Sequence, residues 1–207
     1  MEISWYGLSC FRIAERQHAT VVTDPFAPSI GLTASKLKGD IVTTSHAAAG
    51  HNHVDAVAGH EHVLTGPGEY EIGNVFITGV AAHAGKQRNV AFRFDFDGLT
   101  VAHLGDIQKV LNQSQIESLG QVNVLLLPVG GGNSLGATQA AELVSLIEPN
   151  YVIPMHYHID GLALGLYGVE RFLKEMGNVD LSPQNSLRVS SSSLPEETQT
   201  ILLAPKG

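Results

Sequence analysis

Short strand-forming runs, each stopped within a few residues by turn-formers, are the feature that most limits what this chain can fold into. Apolar or β-branched stretches occupy Ile3–Tyr6, Cys10–Ala14, Thr20–Thr23, Asp40–Thr44, His62–Thr65, Val75–Val80, Val90–Phe96 and Leu99–Leu104. Each is long enough for a strand and too short for a stable helix, and Gly, Pro or Asp punctuates most of the gaps. In VAFRFDF (90–96) the alternation sends the phenylalanines to one face and Arg93 and Asp95 to the other. The dipeptide Asp97-Gly98 that follows predicts a hairpin into Leu99–Leu104. After residue 110 the pattern changes. Gln113–Leu119, Thr138–Ile147 and Val169–Met176 read as helices, with Thr138 as an N-cap and Gly177 as a stop. Val122–Leu127 and Tyr151–Ile153 read as buried strands between them, and Leu187–Ser190 and Thr200–Leu203 as closing strands. Strands first and mixed elements later, without a strict βαβ rhythm, predict an α+β arrangement of two sheets with helices outside them. No linker, repeat or low-complexity segment divides residues 1–207, so one domain is expected.

Charge and composition narrow the partners. A net charge of -8 repels phosphate backbones, and the longest basic clustering is Lys36 and Lys38, so nucleic acid is not expected. The single cysteine, Cys10, excludes an intrachain disulfide and suits a reducing compartment. The opening MEISWYGLSC lacks the basic and apolar regions of a signal peptide, and no apolar run is long enough to span a membrane. A cytoplasmic protein acting on a small molecule is the expectation. Oligomeric state is open, a homo-oligomer included.

The chemistry concentrates at strand ends. Of the ten histidines, His46, His51, His83, His103 and His156 follow predicted strands, as does Asp106 in AHLGD. Side chains from strand ends far apart in sequence can meet on one rim. Imidazole and carboxylate together suit zinc, or iron or manganese. One such histidine alone is more often a surface or capped core residue, so the argument rests on the set. Other features carry two readings. Gly130-Gly131-Gly132 either cradles an anion or makes a strand-to-loop turn. Asp24 either orients a ligand histidine or caps a turn. Cys10 reads as a small buried hydrophobe, Glu69 and Glu71 as the polar face of a strand, and His60 and His62 as solvated.

Ordered pieces along nearly the whole chain resemble the metallo-β-lactamase superfamily, in particular its UlaG-like branch of metal-dependent hydrolases. They are WYGLSCFRI (5–13), TDPF (23–26), DIVTTSH (40–46), GPGEYEIGNVFITGVAAH (66–83), HLGD (103–106), LLLPVGG (125–131) and VIPMHY (152–157). The resemblance implies a four-layer αββα sandwich. It also implies a divalent metal, zinc first, bound by His46, His51, His83, Asp106 and His156, with Asp106 shared between two ions. The implied activity is hydrolysis of a small ester, lactone or phosphoester.

The departures bear on activity. The superfamily's His-x-His-x-Asp-His falls on His46-Ala47-Ala48-Ala49-Gly50-His51, so the second histidine is Ala48 and the aspartate is Gly50. The opening Gly-His-Ser is here Gly7-Leu8-Ser9. Each ion thereby loses a ligand, and glycine at 50 can neither orient nor deprotonate water. No catalytic residue is assigned, the metal itself could be lost, and a non-catalytic descendant that binds a ligand or partner is the alternative. A shifted register, His51-Asn52-His53-Val54-Asp55, would supply the missing residue types, with His53 and His158 as substitute ligands; HNHVDAV also suits the start of a helix.

Overall fold

Strands buried on both faces need a layer on each side, and the middle of this chain supplies several. In the computed structural model, which describes residues 1–33, 36–83, 88–178 and 180–206, every residue of LTVAH (99–103) and VLLLP (124–128) is buried. They lie in a seven-stranded sheet that also contains Gly68–Ile72, Val75–Ala81, Val90–Phe96, Tyr151–Met155 and Gln199–Thr200. A second sheet has six strands: Glu2–Gly7, Cys10–Ala14, Val21–Thr23, Ile41–Thr43, His62–Leu64 and Leu187–Arg188. Two short segments, Leu37–Lys38 and Val57–Ala58, pair separately. In chain order these strands are β1 (2–7), β2 (10–14), β3 (21–23), β4 (37–38), β5 (41–43), β6 (57–58), β7 (62–64), β8 (68–72), β9 (75–81), β10 (90–96), β11 (99–103), β12 (124–128), β13 (151–155), β14 (187–188) and β15 (199–200). The sheet orders are β14-β1-β2-β3-β5-β7 and β15-β13-β12-β11-β10-β9-β8.

One apolar cluster joins the two sheets: Ile3, Trp5, Phe11 and Ile13 from the first meet Ile77, Phe92, Phe94, Val101 and Leu125 from the second. Trp5 stacks on Phe11 with centroids 6.4 Å apart. The same cluster takes in Leu119 of α1 (Gln113–Leu119), Ala140, Leu143 and Val144 of α2 (Ala137–Ile147), and Phe172 and Leu173 of α3 (Glu170–Glu175). The other face of the first sheet presents Cys10, Val22 and Val42. It is covered by Phe26, Ile30, Leu37, Val57 and Leu162. The helix that HNHVDAV suits is there a single 3-10 turn, Val54–Ala56. Two histidines, Asn and β-branched Val are weak helix formers.

The expected hairpin forms. Asp97 and Gly98 both take positive φ, 54° and 86°, and the Asp95 carboxylate accepts from Gly98 N–H at 2.7 Å. Asn112 and Gln115 cap α1 reciprocally. Thr138, in contrast, is not an N-cap. The helix begins one residue earlier, Gly136 stands at the cap, and the Thr138 hydroxyl donates to Glu175 on α3. Tertiary pairing has claimed the hydroxyl that local sequence offered to the cap.

Direction along the strands positions the site. β3, β5 and β7 run parallel, as do β11, β12, β13 and β15. The loops leaving β3, β5, β11 and β13 open with the residues that meet at one rim. Ligand sites in sheets of this kind gather beyond the carboxyl ends of strands. No helix among the described residues is long and apolar enough to cross a membrane.

Candidate metal centre

Asp24 stands directly after β3, buried, with a φ of 40°. Its carboxylate accepts from Ser45 N–H at 2.7 Å, from the Ser45 hydroxyl at 2.6 Å and from His51 Nδ1 at 2.7 Å. These three bonds fold the segment after β5 back over β3 and fix the His51 ring. Ser45 gives its hydroxyl proton to Asp24, so its oxygen accepts from His46 Nδ1, 3.1 Å away. At the end of β13, the Ser134 hydroxyl donates to Gly131 O and faces His156 Nδ1 at 3.2 Å. The tautomers follow from these partners. His46, His51 and His156 each hold a proton on Nδ1, and each presents an Nε2 lone pair.

Those lone pairs converge on Asp106. His46 Nε2 lies 4.0 Å from Asp106 Oδ2, and His156 Nε2 lies 3.7 Å from Asp106 Oδ1. Ligand atoms of His46, His51 and Asp106 all fall within 4.8 Å of one another. The His46 and His51 rings are 4.1 Å apart, and those of His51 and His156 5.4 Å. Asp106 Oδ1 is buried and has no hydrogen-bond partner among the described residues. A carboxylate oxygen facing imidazole lone pairs, with no proton between them, is the arrangement a cation completes.

The electrostatics agree. Burial pushes His156 down to about 4, against the pull of Asp106. Burial, then His51, lowers His46. Both rings are therefore neutral at pH 7, the state that binds metal. Burial alone would raise Asp24, but His51, His103 and Ser45 hold it below the usual carboxylate range. An ionised Asp24 is the orienting partner that ligand histidines ordinarily have.

Asn89 supplies the remaining brace. Its side-chain oxygen accepts from Asp106 N–H at 2.9 Å, its amide donates to Leu104 O at 3.0 Å, and its backbone N–H donates to His83 Nδ1 at 3.0 Å. That last bond sets His83 apart. A ring whose Nδ1 accepts carries its proton on Nε2, so His83 offers a donor where the other three offer lone pairs. It is exposed and outside the group formed by His46, His51 and Asp106. His103 is structural: fully buried in β11, it meets Ser9 O through Nε2 at 2.9 Å. His53 is half-buried, and Asp55 and His158 are exposed; none joins the group. The glycine triplet makes a turn, because Gly130 N–H and Gly131 N–H donate to His156 O and Leu135 O.

Two cavities flank the cluster and share His46 and Ala47. One, of about 690 Å³, is lined by Ala48, Gly50, His51, Asp106, His156, Ile30, Leu164 and Leu166 among others. The other, of about 720 Å³, is lined by Thr44, Asn52, Thr65, His83 and Arg88 among others.

A family model described as a beta-lactamase superfamily domain matches residues 2–156. A UPF0173 metal-dependent hydrolase from Methanoculleus marisnigri is 31% identical over 186 residues, covering 76% of this chain and 81% of that protein. This chain belongs to the metal-dependent hydrolase family of the metallo-β-lactamase superfamily. A UPF0173 metal-dependent hydrolase from Thermoplasma acidophilum is 28% identical over 190 residues, with 76% of this chain and 84% of the relative covered. A crystal structure from Thermotoga maritima, assigned to the Zn-dependent hydrolases of the superfamily, is 32% identical with a TM-score of 0.82, covering 98% of this chain and 97% of that one. Igni18, a metallo hydrolase from Ignicoccus hospitalis, shares the fold at 17% identity and a TM-score of 0.70, covering 100% and 96%. The α+β sandwich is thus the superfamily's.

Set beside the superfamily's motif, the Leu8 side chain stands against Gly50. A Cβ on Gly50 would come 2.7 Å from Leu8 Cδ2, and Leu8 is fully buried. The supporting residues Ser45, Asn89 and Ser134 carried no distinguishing sequence signal. Ser45, adjacent to His46, was the one a search for ring-orienting partners could have found.

Proposed function

We propose that this chain is a hydrolase working with one divalent ion, zinc by donor chemistry, held by His46, His51, His156 and Asp106. Its substrate is a small ester, lactone or phosphoester. The observation that carries this reading is the Asp106 carboxylate, its Oδ1 unpartnered among the described residues and facing His156 and its Oδ2 facing His46, set among rings whose Nδ1 protons are already engaged. When bound, the ion would polarise the electrophile and acidify water. Asp24, Ser45 and Ser134 keep the three Nε2 atoms aimed at Asp106 through the cycle. Among the described residues lining either cavity, Asp106 is the one acid, so with Gly50 in place of aspartate they offer no second carboxylate to take the proton of the attacking water. Turnover is expected to be slow. His83 lies outside this ligand set. A second reading, a non-catalytic protein binding a ligand or partner in the same cavity, is favoured by Leu8 standing against Gly50.

The test is zinc content by elemental analysis after dialysis, together with hydrolysis of 4-nitrophenyl esters, lactones and a 4-nitrophenyl phosphodiester. One ion per chain, lost in Asp106→Asn, with zinc-dependent hydrolysis is the expected result. Zinc bound without hydrolysis of any of them selects the second reading. Two tightly held ions would overturn the one-ion site.

A further inference from the structure

Resting on that reading of the cluster as the reacting centre, we propose that His83 and Arg88 form an anion-binding subsite. The substrate then carries a carboxylate or phosphate group on one side of the cleaved bond and an apolar group on the other. The chain is acidic overall, at -8, yet no Asp or Glu is among the described residues lining the cavity that holds His83 and Arg88. Among the described residues, Arg88 is the one Lys or Arg lining either cavity, and it has no ion-pair partner there. His83 adds a second donor: Asn89 N–H occupies its Nδ1, which leaves Nε2–H for a ligand in the same cavity. A guanidinium with a neighbouring N–H is the donor set that carboxylate and phosphate oxygens take. Across His46, the other cavity has a different wall. Ile30, Leu164 and Leu166 line it, and Leu164 is 37% exposed. Since the two cavities meet at His46, a molecule spanning them places its charged and apolar ends on opposite sides of the cluster.

The probe is 4-phenylbutylphosphonate, titrated calorimetrically into the zinc-free full chain so that the anion cannot be bound by metal. Binding should weaken about ten-fold or more in Arg88→Gln and by a smaller factor in His83→Asn. Methylphosphonate should bind more weakly than the longer probe, and Leu164→Ser should reduce only the longer probe's affinity. Equal affinity in wild type and Arg88→Gln, with both folded by circular dichroism, overturns the subsite. If zinc never binds but the phosphonate does so in an Arg88-dependent way, the subsite stands and the hydrolase reading falls.

Discussion

Gly50 and Leu8 share one small volume, and each accounts for the other. Leucine at position 8 takes a φ of 49°, a conformation that bulky side chains adopt at a penalty, and points into the space a side chain at 50 would need. Gly50→Asp alone should therefore overpack, lowering stability by about 1–3 kcal/mol without raising zinc affinity. Joined with Leu8→His and Ala48→His, the same change should fold, because histidine tolerates positive φ better than leucine. Zinc should then bind about ten-fold more tightly or better, read by competition with a chelating dye. A gain from Gly50→Asp by itself, with no loss in urea unfolding, would show that Leu8 does not fill the site. Asp24 gives the opposite experiment. Asp24→Asn keeps the shape but removes the charge that faces His51 Nδ1 at 2.7 Å, and should weaken zinc binding about 10–100-fold in the same assay.

At the scale of elements, two glycines in tight turns differ in what surrounds them. Gly98 closes the β10–β11 hairpin with φ 86° and has nothing within 4 Å of a would-be Cβ. Gly105 leads from β11 into Asp106 with φ 64°, and a Cβ there would sit 2.4 Å from Ser45 Cβ and 2.5 Å from Asn89 Oδ1. Gly98→Ala should cost about 1 kcal/mol, from backbone strain alone, and leave metal binding intact. Gly105→Ala should cost more than about 2 kcal/mol and abolish tight zinc binding, since Ser45 and Asn89 brace His46 and Asp106. Thermal unfolding and dye competition on the pair separate the two effects, and equal losses would mean that the Gly105 contact does not position the centre. The Asp-Gly hairpin was legible in sequence because two adjacent residues define the turn. The cap of α2 was not, because Thr138 meets a partner 37 residues away.

Across the whole molecule, buried neutral imidazoles couple folding to pH. Burial lowers the pKa of His46, His103 and His156, the last to about 4. An unfolded histidine titrates near 6.5, so below that pH the unfolded chain takes up protons that the folded chain refuses. This contribution is fully present above about pH 6.5 and is lost as pH falls toward the folded values. Asp24, depressed when folded, acts in the same direction at lower pH, below the usual carboxylate range. The unfolding free energy of the zinc-free protein should be level from about pH 8 to 7 and fall steadily from about 6.5 to 4.5. Stability that held level through that range would mean that these rings protonate freely in the folded state. Saturating zinc should add stability by mass action and make the acid loss steeper, because protons compete for the same Nε2 atoms.

Most of the longer strands, the hairpin and the placement of His46, Asp106 and His156 just beyond strands were written in the sequence, because two-residue alternation and turn chemistry act between near neighbours. The short strands β4 and β6, the strand β8 and the position of the last strand, Gln199–Thr200 rather than Thr200–Leu203, were not. The superfamily followed from the order of those pieces. What each ring can do at the centre was decided by the tertiary structure. Asp24 reaches His51 across 27 residues, Ser134 reaches His156 across 22, and Asn89 reaches Asp106 across 17. A histidine becomes a lone-pair ligand or an N–H donor according to what its other nitrogen meets. For His83 that partner is the Asn89 backbone N–H, six residues on in sequence, which any non-proline residue there would carry.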